Sequence, residues 1–83
     1  MASWRPSPHG VARSVNHAIK TNPYIPDRTT ATCTQLPNGT VLVTIAPPSL
    51  DIVKRLIANA QSRNYVVSSA YGVDSFIVQE RRG

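Results

Sequence analysis

Two stretches of this chain read as antiparallel hairpins, each preceded by an amphipathic helical stretch, and that order leaves few folds open. Residues 29–36 and 40–46 are rich in Thr and Val and flank Pro37-Asn38-Gly39, while the strand-like run 65–80 breaks at Gly72-Val73. One helical stretch begins at Ser7 and the other at Ser49, after Pro47-Pro48. The order α-β-β-α-β-β specifies an α+β domain, with a four-stranded antiparallel sheet from two hairpins packed against two helices.

The first hairpin can be read down to register. Pro37 and Asn38 suit the centre of a type I turn with Gly39 left-handed in the bulge that follows, so Leu36 pairs with Thr40 and Cys33 with Val43. Ala31, Cys33, Val41, Val43 and Ile45 then share one face, while Thr32, Thr34, Thr40 and Thr44 share the other with Leu36 and Leu42. A two-residue Asn-Gly turn would slip the pairing by one and set threonines opposite valines. In the second hairpin a type II′ turn at Gly72-Val73 pairs Val67 with Val78 and Ser69 with Phe76. Its inner face carries Tyr65, Val67, Tyr71, Phe76 and Val78, and its outer face Val66, Ser68, Ala70, Ser75, Ile77 and Gln79.

The helices carry start and stop signals. Ser7 is an N-cap with Pro8 at the first helical position, and Val11, Val15, Ala18 and Ile19 recur at helical spacing. Asn22-Pro23 ends this helix, because the residue before proline avoids the α region. Residues 22–28, with two prolines around Tyr24-Ile25, read as an extended connector that pins its aromatic onto the body. Ser49 caps the second helix, Asp51 sits in its first turn and pairs with Arg55, and Arg63-Asn64 closes it. Leu50, Val53, Leu56, Ile57 and Ala60 form its apolar stripe, with Ile52 at the edge.

These signals divide the chain into a flexible arm at 1–6, one compact domain at 7–80 and a basic tail at 81–83. Two arrangements satisfy the patterns. Both helices can cover one sheet face and leave the Thr/Ser face open, or the first helix can cross over and bury Leu42, Val66 and Ile77. Several homing nucleases share the element order, but their first helix ends in acidic metal ligands, and here that position holds Lys20-Thr21-Asn22.

At 83 residues the core is small, which favours binding on an open surface over buried chemistry. Nine Lys and Arg against four Asp and Glu give a net charge of +5, and seven of the nine are Arg, a balance that points to an anionic partner. The N-terminus lacks the apolar block of a secretory signal and no apolar run reaches membrane-span length, so the chain reads as a cytoplasmic protein. Its one cysteine, Cys33, fits a reducing interior. Asn38-Gly39-Thr40 matches a glycosylation pattern, but Asn-Gly is also what a hairpin turn requires.

Residues that would carry a reaction are missing from the pattern. Asp27, Asp51, Asp74 and Glu80 are scattered over connector, cap, turn and strand end, so paired-carboxylate chemistry has no basis. His9 and His17 stand eight apart without a third ligand, and Cys33 falls on an apolar strand face, where a thiol serves as a small core residue. The glycines are isolated, so a glycine-rich phosphate loop is absent. The chain therefore reads as a non-enzymatic binding protein without metal or cofactor.

Two surfaces follow from this reading. Arg5, Arg13, Lys20, Lys54, Arg55, Arg63, Arg81 and Arg82 offer contacts to the phosphates of DNA or RNA, or to an acidic protein surface, and Trp4 offers a plane for a base to stack on. The first reading is a nucleic-acid-associated regulator. The alternative is a protein-interaction module, an inhibitor or adaptor docking through Thr32, Thr34, Leu42, Thr44, Val66, Ser68 and Ile77 or through an edge strand. Self-association through that face would give a homodimer.

Overall fold

A computed structural model of the chain describes residues 3–68 and 72–82, with residues 3 and 4 described in backbone only. The elements are β1 (Ser3–Trp4), α1 (Pro8–Thr21), β2 (Thr30–Gln35), β3 (Val41–Ala46), α2 (Leu50–Ser62), β4 (Tyr65–Ser68) and β5 (Ser75–Arg82). The two hairpins β2–β3 and β4–β5 join through β3 and β5 into an antiparallel sheet of order β2-β3-β5-β4, and α1 and α2 pack on it. This is the α+β arrangement that the order of hairpins and helices specifies.

Local chemistry explains why each element starts and stops where it does. In α1, Ser7 Oγ accepts the Gly10 N–H at 3.0 Å, Pro8 fills the first turn, and Asn22 caps the end. Ser49 Oγ accepts the Ile52 N–H at 3.3 Å at the start of α2, and Asn64 turns the chain out of it with a left-handed φ of 68°. The first hairpin adopts the bulged register: Cys33 faces Val43, Leu36 N donates to Thr40 O at 2.8 Å, and Gly39 has a φ of 87°. Asn38 Oδ1 accepts both the N–H and the hydroxyl of Thr40, fixing the turn.

Both helices cover the same sheet face. Val11, Val15, Ala18 and Ile19 of α1 and Ile52, Val53 and Leu56 of α2 form one core with Val41, Val43, Ile45, Phe76 and Val78. The face opposite carries no helix. There Thr32 and Thr34 are exposed and Leu42, Thr44, Val66, Ser68 and Ile77 are half-buried by their strand neighbours alone.

Several details depart from the sequence pattern. The connector is built of turns rather than extended, with Ile25 N bonded to Asn22 O and Thr29 N to Pro26 O. Its buried anchor is Ile25; Tyr24 is 70 % exposed and holds the Arg55 guanidinium over its ring at 4.6 Å. In α2, Leu50 is 42 % exposed and Ile52 is buried in its place, because the first residue of the helix overhangs the edge of the core. From the stretches read as arm and tail, Ser3 pairs with Arg82 and Trp4 with Arg81, and Arg81 and Arg82 belong to β5. Ser69, Ala70 and Tyr71, and with them the type of the second turn, lie outside the described residues.

The asymmetry between the faces gives a prediction. Phe76→Ala, at a fully buried ring, is expected to lower the unfolding free energy by about 3–5 kcal/mol. Leu42→Thr on the uncovered face is expected to cost well under that, and urea denaturation of the two variants measures the difference.

Candidate functional site

An irregularity in the second hairpin organises a region where several polar and charged side chains come together. Val67 faces Val78, but Val66 faces Glu80, so Gln79 is an extra residue on β5. A regular ladder would place Glu80 opposite Tyr65 and send Arg81 to the outer face. With the bulge, Arg81 faces Tyr65 and shares its side of the sheet. The Arg81 guanidinium carbon lies 5.8 Å from the centroid of the Tyr65 ring, within cation–π range.

Around this pair lie two adjoining clefts. The larger, about 790 Å³, is lined by Gly10, Arg13, Ser14, Asn16 and His17 of α1, Arg63 and Asn64 after α2, and Tyr65 and Arg81. The second, about 510 Å³, is lined by Arg5, Pro6, Ser7, Arg82 and the four residues common to both: Gly10, Asn64, Tyr65 and Arg81. On α1 the positions Gly10, Arg13, Ser14 and His17 fall at i, i+3, i+4 and i+7, a single helix face. Gly10 keeps the wall close there: a Cβ would lie 3.0 Å from the capping Ser7 Oγ and 3.8 Å from the Tyr65 hydroxyl.

The far wall is equally fixed by backbone. Arg82 N donates to Asn64 O at 2.8 Å, tying the end of β5 to the link between α2 and β4. The side chain of Arg5 lies against Gly39 of the first hairpin, whose absent Cβ would lie 3.4 Å from Arg5 Cδ. Five arginines, contributed by four separate parts of the chain, thus border the two adjoining clefts. Among the described residues no carboxylate lines either cleft. The nearest acidic group by sequence, Glu80, lies 3.6 Å from Arg82 Nε as an exposed pair worth little.

The structure sorts the residues singled out from sequence. Arg5, Arg13, Arg63, Arg81 and Arg82 come together; Lys20, Lys54 and Arg55 do not line the clefts. Arg55 Nε instead donates to Asp51 Oδ2 at 3.0 Å, the i,i+4 pair expected of this helix, while its guanidinium covers Tyr24. The side chain of Trp4 lies outside the described residues. His17, Asn64 and Tyr65 join the site without having been anticipated. The helical spacing of Gly10, Arg13, Ser14 and His17 signals the first of these; nothing in the sequence signals the bulge that turns Arg81 toward Tyr65.

For acid–base or metal chemistry the arrangement offers little. Among the described residues no group of three or more His, Cys, Asp or Glu is assembled for a metal. Cys33 is half-buried on the helix-covered face, away from both clefts, and burial pushes its thiol up from the ordinary range. Nor does any helix among the described residues have the length and apolarity to cross a membrane. Comparison with protein-family models, with curated proteins and with solved structures finds no match to this chain.

Two outcomes are expected from this geometry. Because the cleft cations repel one another, Arg13→Gln should raise the Tm at about 0.01 M salt, and the gain should vanish near about 1 M, where charges are screened within about 3 Å. Cys33 should react with iodoacetamide more slowly in the folded protein than in urea at the same pH, since the thiolate is the reacting form.

Proposed function

We propose that the protein is a non-enzymatic, nucleic-acid-associated binding protein, and that the double cleft bordered by Arg5, Arg13, Arg63, Arg81 and Arg82 is its binding surface. The observation that carries this reading is that five arginines border two adjoining clefts with no acidic side chain in their described lining. Holding these cations side by side costs electrostatic free energy, and an anionic ligand offsets it. The choice of arginine favours phosphate, whose oxygens match the planar fork of donors better than they match a single ammonium. A concave site also suits a threaded polyanion better than a flat lipid surface.

Fluorescence-anisotropy titration with labelled DNA and RNA of mixed sequence tests the reading. Arg63→Gln and Arg81→Gln are each expected to weaken binding and to reduce the slope of log K against log salt by about 0.7–0.9 per lost phosphate contact. Lys54→Gln, outside the clefts, is expected to change binding little. Equal losses from all three would reduce the interaction to diffuse charge, and no binding at physiological salt by the parent protein would reject the reading.

A second reading, a protein-interaction module acting as inhibitor or adaptor, is favoured by one separate feature. Leu42 sits beside Ile77 in the β3–β5 ladder, on the sheet face that neither helix covers. If that face pairs with an acidic protein or with a second copy of the chain, Leu42→Asp abolishes association while the variant remains folded. Sedimentation of the parent and variant, alone and with captured partners, distinguishes this from the cleft reading, which Leu42→Asp leaves intact.

A further inference from the structure

The nucleic-acid reading leaves open which form of nucleic acid the clefts accept, and their shape bears on it. Proteins that read duplex DNA insert a protruding helix or β-ribbon into a groove about 12 Å wide. Here the arginines line the walls of a depression instead. The helix that contributes Arg13 is docked along its length on the sheet, with Val11, Val15, Ala18 and Ile19 in the core. Clefts of about 790 and 510 Å³ have the capacity for a nucleotide or a short run of them.

The layout within the depression is that of a path. Arg13 and Arg63 stand in one cleft and Arg5 in the other, Arg81 with Tyr65 is common to both, and Arg82 borders the second cleft with its side chain toward Glu80. Cations at either end suit successive backbone phosphates. The Arg81–Tyr65 pair between them supplies what phosphate binding alone does not need, a guanidinium held over an aromatic ring at 5.8 Å. Unpaired bases stack on guanidinium planes and aromatic faces; bases in a duplex are already stacked on each other. Neither Lys20 nor Lys54 takes part, so the site is arginine throughout.

We infer that the double cleft takes single-stranded nucleic acid, with phosphates held by Arg13 and Arg63 on one side and Arg5 on the other and a base stacked at Arg81–Tyr65. This rests on the nucleic-acid reading and narrows it.

The test is a titration of the full chain with a fluorescein-labelled mixed-sequence decanucleotide, as DNA and as RNA, each single-stranded and annealed to its complement. Single strands are expected to bind at least tenfold more tightly than duplexes at physiological salt. Arg81→Lys keeps the charge and removes the plane, so it should weaken single-strand binding several-fold with the salt slope unchanged. Lys20→Gln, on α1 but outside both clefts, should bind as the parent does. Tyr65→Leu should lose about tenfold, with circular dichroism establishing that it remains folded. Duplex binding equal to or tighter than single-strand binding would overturn this inference while leaving the nucleic-acid reading in place, and so would an Arg81→Lys variant indistinguishable from the parent. Failure of every probe to bind would overturn both.

Discussion

The pairing of β3 with β5 is the interaction on which the rest of the molecule depends. Val41–Thr44 against Ser75–Val78 is the junction between two hairpins that are otherwise separate along the chain. It brings Val41 and Val43 alongside Phe76 and Val78, so that both helices find one continuous apolar surface. A lone two-stranded hairpin is marginal in water, and four joined strands under two helices are enough for a small core. The junction also ends before β5 does. Beyond Val78 the strand runs on past the start of β3, and this overhang is where β1 pairs and where Arg81 and Arg82 stand.

The clefts are therefore a consequence of mismatched strand lengths. The body of the sheet is filled by apolar side chains from both helices; at the overhang the opposing groups are Arg13, His17, Arg63 and Asn64 from the helix surfaces. A bulge at Gln79 then decides which side of the sheet Arg81 serves. Without that extra residue the end of β5 would turn its arginine to the uncovered face and set Glu80 beside Tyr65, placing a carboxylate where the lining now has none.

Much of this could be read from residues alone, and the exceptions have physical reasons. Capping Ser7 and Ser49, the stripe Val11-Val15-Ala18-Ile19 and the turn at Asn38-Gly39 are local signals, and each specifies its element because the governing interactions span only a few residues. The register at Cys33–Val43 follows from the same kind of evidence. Ile52 and Leu50 exchange roles because burial at the end of a helix depends on where the sheet edge falls, which periodicity does not encode. The bulge at Gln79 has no glycine or other residue to announce it, so the facing of Arg81 and Tyr65 is invisible until the strands are paired. Five of the eight cationic residues picked out from the sequence border the clefts; Arg55 stands away from them on α2, against Asp51 and Tyr24.

The most direct measurement is an NMR titration of the arginine side-chain and backbone resonances with a short unlabelled single-stranded oligonucleotide at physiological salt. The account predicts shifts concentrated on Arg13, Arg63, Tyr65 and Arg81, together with Arg5, while Lys54, Leu42 and Ile77 stay in place. Shifts centred on Leu42, Thr44 and Ile77, or spread evenly over every cation of the surface, would contradict it.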